Sequence, residues 1–385
     1  MKLWISLCLF LLLGATAFAV RENSLESRLR RIIRLSNTDA GVAVVSGSRN
    51  WAVGNRKRPL LSVFKFFIAV QTLRQMEQTE TALNAKLTVK ENMTDANMYS
   101  PMLKKHPRRP FEISLAELLE YMIAESDNNA ADILLEYSGG TGQLEKFLHD
   151  LGFSGIDIRV NEKQMNQKAE NQYLNQAAPS DVAGLIKLVF EKDVLSAEHR
   201  KFLADIMIKT STGADKIKLG LPPGIIFGHK TGSSSRIADG IKIANNDAGF
   251  VTLTNGSTYY IAVMITESKH DDRANAALAA QISQTVYNYL TTEKNRLEKS
   301  HKKIPCNRNE FRSLETNPGK KKIILSSPCF LFFPVIPVFV SSPLSFPCLA
   351  RESKRDVRLK AKHDKKAAPI GQLINGVAYV LIFEL

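Results

Sequence analysis

Cysteine is nearly missing from this 385-residue chain, and the four present, Cys8, Cys306, Cys329 and Cys348, leave residues 9–305 without a thiol. The body of the chain therefore has neither a disulfide framework nor thiolate metal ligands and must rely on apolar burial, for which about 270 residues suffice. A large excess of one charge is also missing from that body, although the chain as a whole carries a formal +14. From residue 301 onward 15 Lys and Arg face 6 Asp and Glu, a surplus of +9 that leaves only +5 for residues 1–300. No basic cluster interleaved with aromatics occurs there, so no nucleic-acid partner is expected. Internal repeats are absent, and no spacing of His, Asp and Glu marks a metal site, so neither metal nor cofactor is expected.

The two ends differ from the middle. Lys2, the apolar run Leu3 to Leu13 and the small-residue site Ala17-Phe18-Ala19 form a secretory signal over residues 1–19, too short in its apolar part to span a bilayer. The expected product is exported, to the periplasm or beyond. Residues 295–385 form an atypical tail, Lys-rich and then uncharged from Ile323 to Ala350. Pro328, Pro334, Pro337, Pro343 and Pro347 interrupt that uncharged run, which argues against a membrane span and for a segment outside the fold. Residues 20–294 remain as one catalytic unit, expected to act as a monomer.

Within that unit Ser24 to Leu35 reads as an amphipathic helix, followed by Gly41 to Ser46 and Asn50 to Val53 as a hairpin. Leu61 to Met76 is apolar on most sides and predicts a helix buried all round. Ser114 and Glu117 form a capping box ahead of a helix reaching Ala124. Helical patterns continue through Ala130–Tyr137, Gly142–Leu151, Ser180–Glu191 and Ala197–Ile208. Strands then follow at Lys230–Ser233, Asp247–Thr254 and Thr258–Ile265, the last two joined through Asn255-Gly256, before a helix over Asp272–Leu290. The pattern predicts an α/β (α+β) fold: an antiparallel sheet built from both chain ends with flanking helices, plus an all-helical lobe.

Four short motifs occur in order: Ser62-Val63-Phe64-Lys65, Ser126-Asp127-Asn128, Glu162-Lys163-Gln164-Met165-Asn166 and Lys230-Thr231-Gly232. Each is weak alone. Ser62 and Lys65 lie at i and i+3 of a helix, where a hydroxyl and an amine share a face and can exchange a proton. Taken singly, Ser126-Asp127-Asn128 would be a polar turn capping a helix, because all three residue types are capping residues. Lys230 and Thr231 can offer a charge and a hydroxyl to a carboxylate, and Gly232 allows a close approach to the backbone.

The ordered set resembles the signature of class A serine β-lactamases, within the superfamily of β-lactamases and penicillin-binding transpeptidases, over about residues 25 to 292. The resemblance implies an active site between sheet and helical lobe, in which Ser62 opens a β-lactam ring and Lys65 assists. It assigns proton delivery to Ser126, the substrate's side-chain amide to Asn128, and an oxyanion hole to the backbone N–H groups of Ser62 and Ser233. Tyr99 matches the aromatic at the cleft mouth. Glu162 matches the carboxylate that activates water in a loop reading Glu-x-x-Leu-Asn, with Asn166 holding the same water. Glu170 is a rival one residue out of register from Asn175.

The loop departs from the family where its neck is usually closed by an Arg two places before the Glu and an Asp thirteen after. Val160 and Asn175 stand there, a pairing that resembles a divergent subgroup with a rearranged loop; Arg159 is a candidate substitute. The expected activity is hydrolysis of penicillins or cephalosporins, conferring antibiotic resistance. Two alternatives share the fold: a D,D-peptidase, which the loop glutamate argues against, and a penicillin-sensing receptor domain, which would need a membrane anchor.

Overall fold

A computed structural model describes residues 24–302. The expected signal segment, residues 1–19, and almost all of the expected tail lie outside the described residues.

Helix α1 (Leu25–Ser36) opens with Ser24 as its N-cap and ends at Asn37 in the left-handed conformation. The hairpin β1 (Ala40–Ser46) and β2 (Arg49–Val53) follows, then a short β3 (Arg58–Pro59). A 3₁₀ turn, Leu61–Val63, runs into α2 (Phe64–Gln78), whose first ten residues are all buried. The small β4 (Lys86–Val89) pairs with β5 (Phe111–Ser114), flanking the one-turn α3 (Pro101–Lys105). The lobe then builds through α4 (Leu115–Ala124), α5 (Asn128–Tyr137) and α6 (Gly140–Asp150). The predicted capping box on α4 is present, with Ser114 and Glu117 capping each other reciprocally. Next come α7 (Glu162–Gln167), β6 (Gln176–Ala177), α8 (Pro179–Glu191) and α9 (Ala197–Ile208). The chain closes with β7 (Ile226–Ser233), β8 (Lys242–Thr252), β9 (Thr258–Ser268) and α10 (Asp272–Lys302).

The main sheet is antiparallel, in the order β2-β1-β9-β8-β7, so strands from both chain ends meet where β1 pairs with β9. Alternation along the strands divides its faces. Val42, Val44, Ile261 and Val263 join Leu25 and Leu29 of α1 and Ile282 and Val286 of α10 in one core. Ala43, Val45, Ala262 and Met264 face a second core with α8 and the helical lobe. The expected α/β architecture is thus the observed one.

Several boundaries move: α2 begins at Phe64 after a 3₁₀ turn rather than at Leu61, β7 begins at Ile226 rather than Lys230, and β9 runs to Ser268 rather than Ile265. β8 begins at Lys242, five residues before the expected Asp247, and Asn245 and Asn246, poor strand formers by composition, hide that first half in the sequence. They are strand because β7 and β9 pair with them on both sides. The last helix continues past Leu290 to Lys302, which carries it beyond the expected domain end at 294. No helix among the described residues is long and apolar enough to cross a membrane.

Candidate active site

The sequence motifs converge on a cleft of about 450 Å³ between the β7 edge of the sheet and the helical lobe. Ser62 sits in the 3₁₀ turn ahead of α2 and follows Leu61, whose φ of 45° is a conformation that L-residues with side chains rarely adopt. Lys65 is fully buried one turn on. Ser126, between α4 and α5, also holds a left-handed φ, of 60°. Strain of this kind persists only where the surroundings impose it, and Asp127 supplies the constraint. Its buried carboxylate accepts from Ser100 Oγ and the Met102 N–H, each at 2.8 Å, and from the Ala130 N–H at 2.9 Å.

Lys65 is the hub. Its Nζ donates to Asn128 Oδ1 at 2.6 Å and to the Ser126 carbonyl at 2.7 Å, and lies 3.5 Å from Ser126 Oγ. It also stands 3.0 Å from Glu162 Oε1, an atom that accepts from Ser62 Oγ at 3.3 Å. The two carboxyl-bearing candidates of the loop are thereby separated: Glu162 is buried against the Ser62–Lys65 pair, whereas Glu170 is exposed in a 3₁₀ turn. On the other side Lys230 Nζ donates to Ser126 Oγ at 2.9 Å and to the Thr231 carbonyl at 3.0 Å. Complete burial, reinforced by the Lys65 ammonium, holds Lys230 well below the usual lysine range.

β7 brings Thr231 and Ser233 to the cleft wall, with Lys230 buried behind it against Ser126. Gly232 has a different reason from the one its motif implies. A Cβ there would lie 2.4 Å from the Leu60 carbonyl and 3.2 Å from the Ser62 nitrogen, so the missing side chain lets β7 pack against the turn that carries Ser62 rather than against a ligand. Tyr99, 54% exposed, stands at the mouth, and its carbonyl accepts the Asn128 N–H at 3.0 Å. Asn166 lines the cleft while its Nδ2 donates to the Glu162 carbonyl at 2.9 Å.

The neck of the loop is closed by Asn175, not by Arg159. The fully buried Asn175 amide accepts from the Arg159 and Val160 N–H groups at 2.8 and 3.0 Å and donates to the Val160 carbonyl at 2.8 Å. Arg159 turns outward to Glu145 at 2.8 Å. A neutral amide thus does what an ion pair does elsewhere, with no charge to desolvate.

Three contributors carry no motif. Asp132 accepts the Glu162 and Lys163 N–H groups at 2.7 and 2.9 Å and so caps the start of α7. Burial, with the Glu162 charge adding, pushes its carboxyl up to about 6. Its position four residues after Asn128, on the same face of α5, is a signal that could have revealed it. Lys216 lines the cleft near Thr231, its ammonium donating to the Asn246 carbonyl at 3.2 Å, and burial lowers it from the usual lysine range. Thr212 Oγ1 lies 2.6 Å from Thr231 Oγ1. For these two nothing in the sequence gave a hint. A larger cavity, about 570 Å³, lies at the far end of α2 around Gln71, Arg74 and Tyr137 and contains none of these groups.

A family model described as the beta-lactamase enzyme family matches residues 24–290. The chain belongs to the class A beta-lactamase family. A beta-lactamase of Bacteroides uniformis is 38% identical over 287 residues, 74% of this chain and 97% of that protein. Beta-lactamase VEB-1 of Pseudomonas aeruginosa is 30% identical over 274 residues, 70% of this chain and 91% of that one. The crystal structure of a class A beta-lactamase from Bacteroides cellulosilyticus superposes with a TM-score of 0.68 at 39% identity, covering 70% of this chain and 99% of that one. Family membership thus covers the sheet, the lobe and all four motifs, and leaves the tail aside.

Proposed function

We propose that this chain hydrolyses the β-lactam ring of penicillins and cephalosporins through an acyl-enzyme on Ser62. The observation that carries this reading is the shared Glu162 Oε1, within reach of both Ser62 Oγ at 3.3 Å and Lys65 Nζ at 3.0 Å. Lys65, having passed a proton to Glu162 Oε1 at 3.0 Å, takes the proton from Ser62 Oγ as it attacks the ring carbonyl. The oxyanion forms against the N–H groups of Ser62 and Ser233, the contribution usually worth most in acyl transfer. As the C–N bond breaks, Ser126 Oγ delivers a proton to the ring nitrogen. The Lys230 ammonium at 2.9 Å and the Lys65 ammonium at 3.5 Å can resupply it.

Lys230 and Thr231, with Lys216 beside them, form the wall that receives the substrate carboxylate, and Asn128 meets the side-chain amide. Tyr99 flanks the entrance. In the second half Glu162 draws a proton from a water, held with the help of Asn166, and hydroxide cleaves the ester to free Ser62. A buried general base at this position favours a hydrolase over a peptidase that remains acylated. We further infer that residues 1–19 direct export and that the enzyme works outside the cytoplasm, as a monomer, since one chain supplies every group.

Stopped-flow turnover of a chromogenic cephalosporin tests the hydrolase reading, with sustained turnover expected and a single stoichiometric burst refuting it. Ser62→Ala should abolish covalent labelling by penicillin in intact-mass spectrometry. An adduct on that variant would place the nucleophile elsewhere.

A further inference from the structure

The cleft gathers the buried charges of Lys65, Glu162 and Lys230, but a strong exposed charge lies on the opposite side of the sheet. Helix α1, on that side, is only in part an ordinary amphipathic helix.

 It runs Leu25-Glu26-Ser27-Arg28-Leu29-Arg30-Arg31-Ile32-Ile33-Arg34-Leu35-Ser36. Leu25, Leu29, Ile32 and Ile33 turn into the core shared with α10. At about 100° per residue, Arg28, Arg30, Arg31 and Arg34 fill the other side, an arc of roughly 160° with no acidic residue in it. All four are exposed, and none makes an ion pair among the described residues. Arg28 lies over the Tyr289 ring at 5.5 Å, and Asp39, the nearest carboxylate after the helix, is taken by Arg56 and Arg58. Leu35 stands at the end of the same arc, 71% exposed.

We propose that the outer face of α1 docks the enzyme on an anionic phospholipid surface. Four arginines on one helical face complement a plane of phosphates, and their aliphatic stems can lie along the headgroup layer while Leu35 reaches the acyl boundary. A nucleic acid fits less well, since the face presents no aromatic platform. Orientation also favours docking. α1 covers the sheet face opposite the core that carries α2 and the lobe, so a docked molecule keeps its cleft open to solution. A basic residue near an anionic surface strengthens partitioning about fivefold, so the four together are worth roughly 10²- to 10³-fold.

The test is co-sedimentation of the full chain with vesicles of phosphatidylcholine alone or with about one-third phosphatidylglycerol, at low and high salt. The wild type should bind only the anionic vesicles and release in salt. The variant Arg30→Glu/Arg31→Glu/Arg34→Glu should lose at least tenfold in partitioning while turning over a soluble cephalosporin at the wild-type rate. Equal binding by that variant would overturn the proposal and assign the affinity to the basic residues beyond 300. So would binding to neutral vesicles, binding to duplex DNA but not to vesicles, or no binding at all.

Discussion

Replacing Asp132 with Asn separates two effects that one carboxylate combines. Its oxygens accept from the Glu162 and Lys163 N–H groups at 2.7 and 2.9 Å, which fixes the first turn of α7 and hence Glu162. An amide can accept only one of these, and its NH₂ would face the other donor. The start of α7 must then turn aside, and a misplacement of about 1 Å at a reacting group can cost roughly 10²-fold. Deacylation should therefore slow by about that factor, read as acyl-enzyme accumulating in intact-mass spectrometry and as a fall in steady-state turnover.

Stability should move the other way. The Asp132 carboxyl is pushed up to about 6 from an ordinary 3.8, so between those values the folded state keeps a proton that the unfolded chain has released. The contribution is fully present below pH 3.8 and is lost as pH rises through about 6, a change of up to roughly 3 kcal/mol. Asp132→Asn lacks this loss. Relative to wild type, its melting temperature should be higher at pH 7 than at pH 4. Native deacylation in Asp132→Asn, or a melting-temperature deficit that grows from pH 4 to pH 7, would refute the reasoning.

Glu162→Gln should still acylate but trap the acyl-enzyme, with deacylation slowed about 10²- to 10⁴-fold, while Glu170→Gln changes little; a trapped adduct on the latter would reverse the assignment. Asn175→Ala removes three hydrogen bonds across the loop neck, two of them buried, and should cost about 1–3 kcal/mol in denaturant unfolding; an unchanged midpoint would show that the neck closes without it. A chain ending after Lys302 should unfold cooperatively and keep full turnover of a chromogenic cephalosporin, and loss of folding would place part of the domain in the tail.

The sequence by itself determined what depends on near neighbours. Ser62 and Lys65 lie one turn apart because three residues make a turn of the 3₁₀ segment that leads into α2, and the Ser114–Glu117 capping box is written within four residues. The β1–β2 hairpin and the apolar α2 were legible for the same reason: each follows from periodicity over a short window. What only the tertiary structure decided depends on residues far apart in the chain. Glu162 reaches Ser62 across 100 residues because Asp132 on α5 caps α7, and no local pattern states that pairing. The Asn175 amide closes the loop neck in place of Arg159, a choice made by which side chain the packing buries and which it leaves in water. Asn245 and Asn246 become strand only because β7 and β9 flank them, and Lys216 reaches the cleft because the turn that carries it is pinned to Asp247 by the Ile217 N–H at 3.2 Å. Local propensity acts over a few residues, whereas burial and hydrogen-bond satisfaction act wherever the folded chain brings groups together.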